Sequence, residues 1–253
     1  MIELVSIVST LYNYSNFVSD MINSVKDQNY DNWELIIVDD GSSDNPDKII
    51  LPFVEKDDRI RYIKLGKNRG YSVAKNEGII SSSGQYITMI DADDMLTENS
   101  VKYRLKSLKK SKAIWAHGNA YNLGSNGKIT PDTHFSSRWK RTIAEKRYSD
   151  LWSCIHAQTI MVKREFHEIL GLYDEQLRAS SDREMWKRAV TFGYIPEYLN
   201  NFVSIYRKHA KQMSKSKWKR KNKNKLEHLL NKNLKNRVKN GINSSNTRIL
   251  HER

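Results

Sequence analysis

Tyr86-Ile-Thr-Met-Ile-Asp91-Ala-Asp93-Asp94 is a short apolar run, read as a buried strand, that ends in three carboxylates within four residues. Crowded carboxylates raise one another's pKa unless a cation sits among them. Hard divalent cations take oxygen ligands, and Mg²⁺ uses one or two carboxylates together with substrate phosphates. The stretch therefore has two readings. It is a metal site that holds a diphosphate, or a solvated acidic turn that caps the next helix.

A second stretch has the same build. Glu34-Leu-Ile-Ile-Val-Asp39-Asp40-Gly41-Ser42-Ser43-Asp44 is again a buried-type strand running into carboxylates and a Gly-Ser turn. Working outward, apolar runs at Leu4–Thr10, Glu34–Asp39, Ile60–Lys64 and Tyr86–Ile90 alternate with helical patterns near Asn16–Lys26, Pro46–Glu55 and Ser72–Ile80. Phe17, Met21, Ile22 and Val25 recur at helical spacing, with Ser15 or Asn16 as the N-cap. Alternation of this kind predicts parallel strands with crossover helices. Ligands on such sheets bind beyond the carboxyl ends of the strands, where both acidic stretches fall. Further on, the pattern predicts a helix over Asn99–Ser111, strands over Ala113–Gly118, Ser153–Val162 and Tyr198–Tyr206, and a helix over Arg183–Phe192. A hairpin turn is expected at Asn126-Gly127.

Four ordered blocks carry a resemblance. Leu4-Val-Ser-Ile-Val-Ser9-Thr10 leads to Tyr12-Asn13, then come Val38-Asp39-Asp40-Gly41-Ser42, Asn68-Arg69-Gly70 with Ala74-Lys75-Asn76, and Asp91-Ala-Asp93-Asp94. Here the chain resembles the family-2 inverting glycosyltransferases, whose nucleotide-sugar-binding fold is called GT-A. The resemblance runs from about Leu4 to about Ser214. It thins between Asn119 and Ser149, where acceptor specificity usually lies in that family. One departure is Leu11, where many relatives have proline. The implied fold is α/β: a Rossmann-like, mostly parallel central sheet flanked by helices, here with a basic helical C-terminal extension. The implied activity is metal-dependent transfer of a sugar, from a nucleotide-diphospho-sugar such as a UDP-sugar, to an acceptor hydroxyl with inversion. The acceptor class stays open between a glycan, a lipid-linked sugar and a protein.

Residue roles follow from the same resemblance. Asp39, with Asp40 beside it, faces the nucleobase, and the backbone near Thr10 faces the nucleoside. Tyr12, Asn68, Lys75, Asp91, Ala92 and Arg207 complete the implied nucleotide-sugar set, with Asp91 near the ribose. Asp93, Asp94 and His209 are the implied ligands of Mn²⁺ or Mg²⁺, between which oxygen ligation does not choose. Asp182, after Gly171-Leu-Tyr-Asp174-Glu175, aligns with the general base; Ser181 replaces the acid that usually precedes it. Each has a plainer alternative. Asp39, Asp40 and Asp182 are all common helix caps, Lys75 is an ordinary surface lysine, and Tyr206-Arg207-Lys208-His209 begins a basic tail. Trp152 and His156 fall where the family lines its acceptor pocket.

Composition narrows the classes. At 253 residues and 38% hydrophobic content, the chain buries one sizeable core and has no apolar run of membrane-spanning length. Its start does not read as a signal peptide, and the single Cys154 excludes an internal disulfide. These features point to the cytoplasm. Of 43 basic and 29 acidic residues, 16 and two fall from Arg207 onward, which leaves 27 of each sign before it. The net charge of +14 thus sits on the tail, which argues against a nucleic-acid-binding body. The expected organisation is a GT-A domain over 1–214 and a basic amphipathic tail over 215–253. Leu226, Leu229, Leu230, Leu234 and Val238 make the tail's stripe, suited to peripheral contact with an anionic membrane, to a partner, or to packing on the body. Two rival functions remain. A sugar nucleotidyltransferase needs a glycine-rich basic loop where Tyr12-Asn13-Tyr14 stands. A non-catalytic binding module has no need of Asp91, Asp93 and Asp182.

Overall fold

The computed structural model describes residues 2–177, 179–213 and 222–241. Its centre is β1 (Val5–Leu11), buried along its whole length. β1 pairs in parallel with β2 (Trp33–Asp39) on one side and β4 (Tyr86–Asp91) on the other, and β3 (Ile60–Lys64) extends the ladder beyond β2. The crossovers are α1 (Ser15–Lys26), α2 (Asp47–Val54) and α3 (Tyr71–Ser81). Alternate residues feed two cores, as a sheet covered on both faces requires. Val8, Ile36, Val38 and Met89 face one, and Ile7, Leu35, Ile37 and Ile90 face the other. Register then levels the functional edge: Leu11 lies opposite Asp39, and Thr10 opposite Asp91.

Beyond β4 the sheet turns mixed. After β5 (Met95–Leu96) and α4 (Ser100–Lys110) come β6 (Trp115–Leu123), β7 (Ile129–Pro131), α5 (Thr133–Ala144), β8 (Met161–Lys163) and α6 (Glu165–Leu170). α7 (Ser181–Thr191), β9 (Glu197–Arg207) and α8 (Lys223–Asn240) complete the described elements. The strand order is β3-β2-β1-β4-β8-β6-β9-β5, with β7 paired to β6 around the expected Asn126-Gly127 turn.

Two local expectations need correction, and one helix was not expected. The long strand over Ser153–Val162 is instead two short 3₁₀ turns, Tyr148–Cys154 and Ala157–Thr159, followed by the three-residue β8. Side chains there bond the backbone locally: Ser153 Oγ donates to the Asp150 carbonyl at 2.6 Å and Thr159 Oγ1 to the His156 carbonyl at 2.7 Å. Such bonds compete with a strand ladder. The helix α1 is not capped by Ser15 or Asn16. Asp44, from the loop after β2, accepts the Ser15 amide at 2.9 Å. The stretch Thr133–Ala144, for which the sequence reading names no element, forms α5.

The tail stripe also meets protein rather than solvent. Leu230 and Leu234 are buried, and Leu229 packs on Leu177 and Ala179. Burying such a leucine is worth about 1.5–3 kcal/mol. Leu226 and residues 242–253 lie outside the described side chains, and Val238 is exposed. Arg183 pairs with Glu227, and Lys187 Nζ donates to Asn231 at 2.9 Å, so α8 lies along α7. Behind that contact are four charges with no more than 2% side-chain exposure. Glu184 pairs with Arg188, Arg237 lies 3.5 Å from Glu184 and 3.7 Å from Asp174, and Asn233 donates to Asp174 at 2.6 Å. Arg188 also donates to the carbonyls of Leu170 and Leu172. No helix among the described residues is long and apolar enough to cross a membrane.

Candidate active site

A cleft of about 1010 Å³ opens at the carboxyl edge of β1, β2 and β4. Its first wall is loop backbone held by carboxylates. Asp40 accepts the amides of Arg69 at 2.6 Å and Gly70 at 2.8 Å, and burial pushes its pKa up against those bonds. Asp39 accepts the Ser42 amide at 2.8 Å and the Tyr62 hydroxyl at 3.0 Å. The turn that follows them needs glycine: at φ +76, a Cβ on Gly41 would lie 2.5 Å from the Lys67 carbonyl carbon. Asn13, at φ 58, locks the β1 exit onto this turn by accepting the Ser43 amide at 2.8 Å.

The acid cluster follows. Asp91, Asp93 and Asp94 each offer an oxygen within 4.8 Å of the others. Asp91 takes the Tyr71 hydroxyl at 2.9 Å and Gln158 Nε2 at 2.5 Å. Burial raises its pKa to about 6, opposed by Lys75 and reinforced by Asp93 and Asp182. Burial, then Asp93 and Asp91, push Asp94 well above the usual carboxylate range. Asp94 Oδ1 accepts the Arg207 amide at 2.8 Å, while its buried Oδ2 has no partner among the described residues. Asp93 pairs with His209 Nε2 at 2.9 Å, and the His209 ring lies between Phe17 and Tyr14, at 4.8 and 5.4 Å. Three crowded carboxylates, one carrying an orphaned buried oxygen, make an all-oxygen donor set that fits a hard divalent cation.

Asp182 enters from the other wall. Ser180, in the left-handed region at φ 64, precedes α7, so Asp182 lies in the first turn and is not the cap residue. Its Oδ1 pairs with Lys75 Nζ, and its Oδ2 is 3.4 Å from the Tyr71 hydroxyl. Lys75 is thus no surface lysine. It is 3% exposed and lies 4.1 Å from the Tyr71 ring centroid and 4.8 Å from that of Tyr173. α3 can bring it there because Gly78 lets the helix sit against β1, where a Cβ would meet Val8 at 2.3 Å.

Thr10, Tyr12, Asp40, Asn68, Asp91, Asp93 and Asp182 all face this cleft. Other expected residues stand behind it. Ala92 is fully buried in the core, and Asp39 serves the turn. The Arg207 side chain turns away to Asp20, at 2.6 Å, and to the Asp93 carbonyl. Trp152 and His156 line the far end, as does α5 through Phe135 and Arg138. Tyr71 and Gln158 were not anticipated. The signal for Tyr71 was its place four residues before Lys75, one helical turn away on the same face. Gln158 gave none, since its role depends on a turn that reads as a strand.

The pattern described as Glycosyl transferase family 2 matches residues 6–170, which stops short of Asp182 and His209. A Bacillus subtilis (strain 168) protein, named for teichuronic acid biosynthesis as glycosyltransferase TuaG, is 26% identical over 216 residues, covering 85% of this chain and 83% of its own. Two further curated relatives are matched over 40% and 18% of their own length. Among solved structures, S. aureus TarS 1-349 in complex with UDP-GlcNAc superposes at TM-score 0.66 with 18% identity, over 84% of this chain and 61% of that one. The mannosyltransferase PcManGT from Pyrobaculum calidifontis, in complex with GDP-Man and Mn²⁺, gives TM-score 0.60 and 16% identity, over 79% and 56%. At such identities the solved structures speak for the fold, while the pattern match covers well over half of the chain. This chain belongs to glycosyl transferase family 2 and is a glycosyltransferase on the GT-A fold.

Proposed function

We propose that the chain transfers a sugar from a UDP-sugar to an acceptor hydroxyl in one inverting displacement, with Asp182 as general base. The observation that carries this reading is Tyr71. Its hydroxyl lies 2.9 Å from Asp91 and 3.4 Å from Asp182, so one side chain spans the acid cluster and the base. That spacing suits a donor held at one end and an acceptor deprotonated at the other. The nucleoside would lie along Thr10, Tyr12, Asp40 and Asn68, in keeping with the UDP-GlcNAc and GDP-Man of the two solved neighbours. Asp93 and Asp94, with His209 beside Asp93, would hold Mn²⁺ or Mg²⁺, which supplies positive charge to offset the departing diphosphate. Lys75 orients the Asp182 carboxylate, and Arg207 fixes Asp93 and Asp94 through its backbone amide and guanidinium.

Asp182→Asn keeps size and hydrogen bonding but removes the base. We expect kcat to fall about 10²–10⁴-fold, with UDP-sugar affinity near wild type. Calorimetry and a turnover assay on the same preparation check both halves, and full turnover by the variant would reassign the base. Membrane contact, if the acceptor is lipid-linked, falls to the exposed Lys225, Lys232, Lys235 and Lys239 of α8, because Leu229, Leu230 and Leu234 are spent on packing. Co-sedimentation with anionic vesicles at low salt, lost at high salt, is the expected result. No sedimentation at low salt would remove the membrane from the account.

A further inference from the structure

The far wall of the cleft differs in charge from the near one. Near β1 and β4 the lining acids are Asp40, Asp91 and Asp93. On the wall formed by α5, the turn at Tyr148–Cys154 and α7, the lining charges are Arg138 and Arg183, joined by Lys208 just past β9. The lining acids there are Asp132 and Asp182; Asp132 Oδ1 is already engaged as the α5 cap, accepting the His134 amide at 3.0 Å, and Asp182 Oδ1 pairs with Lys75. His156 adds no charge near neutral pH, because burial lowers its pKa to about 4. Arg138 and Lys208 make no ion pair or side-chain hydrogen bond with another described residue, and Arg138 is only half-exposed. A partly buried guanidinium without a partner is costly in the empty cleft and favourable once an anion fills it.

Between these cations lies an aromatic surface. The Arg183 guanidinium carbon is 4.9 Å from the Trp152 ring centroid. Phe135 and Arg138 stand one turn apart on α5 and open on the same cleft. A flat apolar face ringed by donors suits a sugar ring that carries negative charge. A neutral sugar would leave the Arg138 and Lys208 charges without a counter-ion, whereas a carboxylate or phosphate supplies one.

We infer that the acceptor is an anionic saccharide, whose carboxylate or phosphate is held by Arg138 and Lys208 while its sugar lies on Trp152, beside the Arg183 that pairs with Glu227. The inference rests on the reading of Asp182 as the base, since that reading makes this wall the acceptor side. Carboxylate and phosphate are both matched by the arginine fork, and the source of the charge is separated by experiment. With the protein saturated by UDP and Mn²⁺, binding of tetragalacturonate, a glycerol-phosphate tetramer and neutral galactotetraose is measured by calorimetry. At least one anionic probe should bind about tenfold or more tighter than the neutral one at low salt, with the advantage shrinking at high salt. The tighter anion names the source. The double variant Arg138→Gln/Lys208→Gln should lose the preference while UDP affinity stays within about twofold, because neither residue lies at the acid cluster. Equal or tighter binding of galactotetraose, or a variant that keeps the preference, overturns the inference. Loss of UDP binding by the wild-type protein would instead strike the donor reading, and full turnover by Asp182→Asn the assignment of the base.

Discussion

Two groups of buried or half-buried charged side chains among the described residues are built differently. Asp174, Glu184, Arg188 and Arg237 form a set with two charges of each sign, tied further by Asn233. Asp91, Asp93 and Asp94 form a set with three charges of one sign, against which the described residues place one histidine, part of one arginine, and a lysine that is already paired with Asp182. Desolvation makes either set costly unless the charge is matched. The first is matched by the chain itself and serves to seat α8 on α7. The second is left in deficit, and burial with mutual repulsion raises the pKa of Asp91 and Asp94. Charge balance therefore separates a cluster that holds the fold together from one whose donor set fits a cation.

The strongest way to break this contrast is to unbalance the balanced set. Arg237→Met leaves Asp174 and Glu184 facing Arg188 alone. Removing one partner of a buried ion pair costs about 3–5 kcal/mol, and urea unfolding should show a loss of that order. A change below about 1 kcal/mol would mean that the seat of α8 is held by its leucines rather than by charge.

The next largest effect concerns the deficit. Mn²⁺ at a hundred times its dissociation constant should stabilise the wild-type fold by about 2.7 kcal/mol. Asp94→Asn removes a charge and should weaken that stabilisation while raising, or leaving unchanged, the stability of the metal-free protein. A thermal melt with and without Mn²⁺ reads both. Equal stabilisation of both proteins would place the cation elsewhere.

The smallest effect is in pH. The folded-state pKa of Asp91, about 6, lies above the ordinary value of roughly 4. Between those values Asp91 binds more protons in the folded chain than in the unfolded one, so its contribution to stability falls as pH rises from about 4 to about 6. The slope is at most about 1.4 kcal/mol per pH unit for each such group. Asp94, also raised, extends the fall upward. A bound divalent cation should flatten the profile, because it favours the ionised carboxylates. A metal-free profile whose slope across this window is unchanged by Asp91→Asn would show that Asp91 is matched in some other way.

How much of this was readable in the sequence depends on where each residue's partners lie. Buried parallel strands write continuous apolar runs, and so β1, β2, β3 and β4 were legible to within a residue or two. The carboxylates at their ends were legible for the same reason, since register, not distance along the chain, brings Asp39 and Asp91 to one edge. α5 was not, because its buried residues are only Trp139 and Thr142 and its other faces are polar. The turns around His156 were not, because their polar side chains bond locally while the apolar spacing imitates a strand. The stripe of α8 was seen, but a stripe does not say what covers it. The answer lay in Asp174 and Glu184, two carboxylates whose need for a cation appears only when the chain is folded.

The seating of α8 has a consequence in time. A ribosome makes the sheet, the acid cluster and Asp182 before it makes Arg237. Until α8 is finished, the helix that bears the proposed base stands over two carboxylates and a single arginine. The donor half of the cleft can therefore be complete while the catalytic wall is still unsettled. In a newly made chain, binding is expected to mature before turnover.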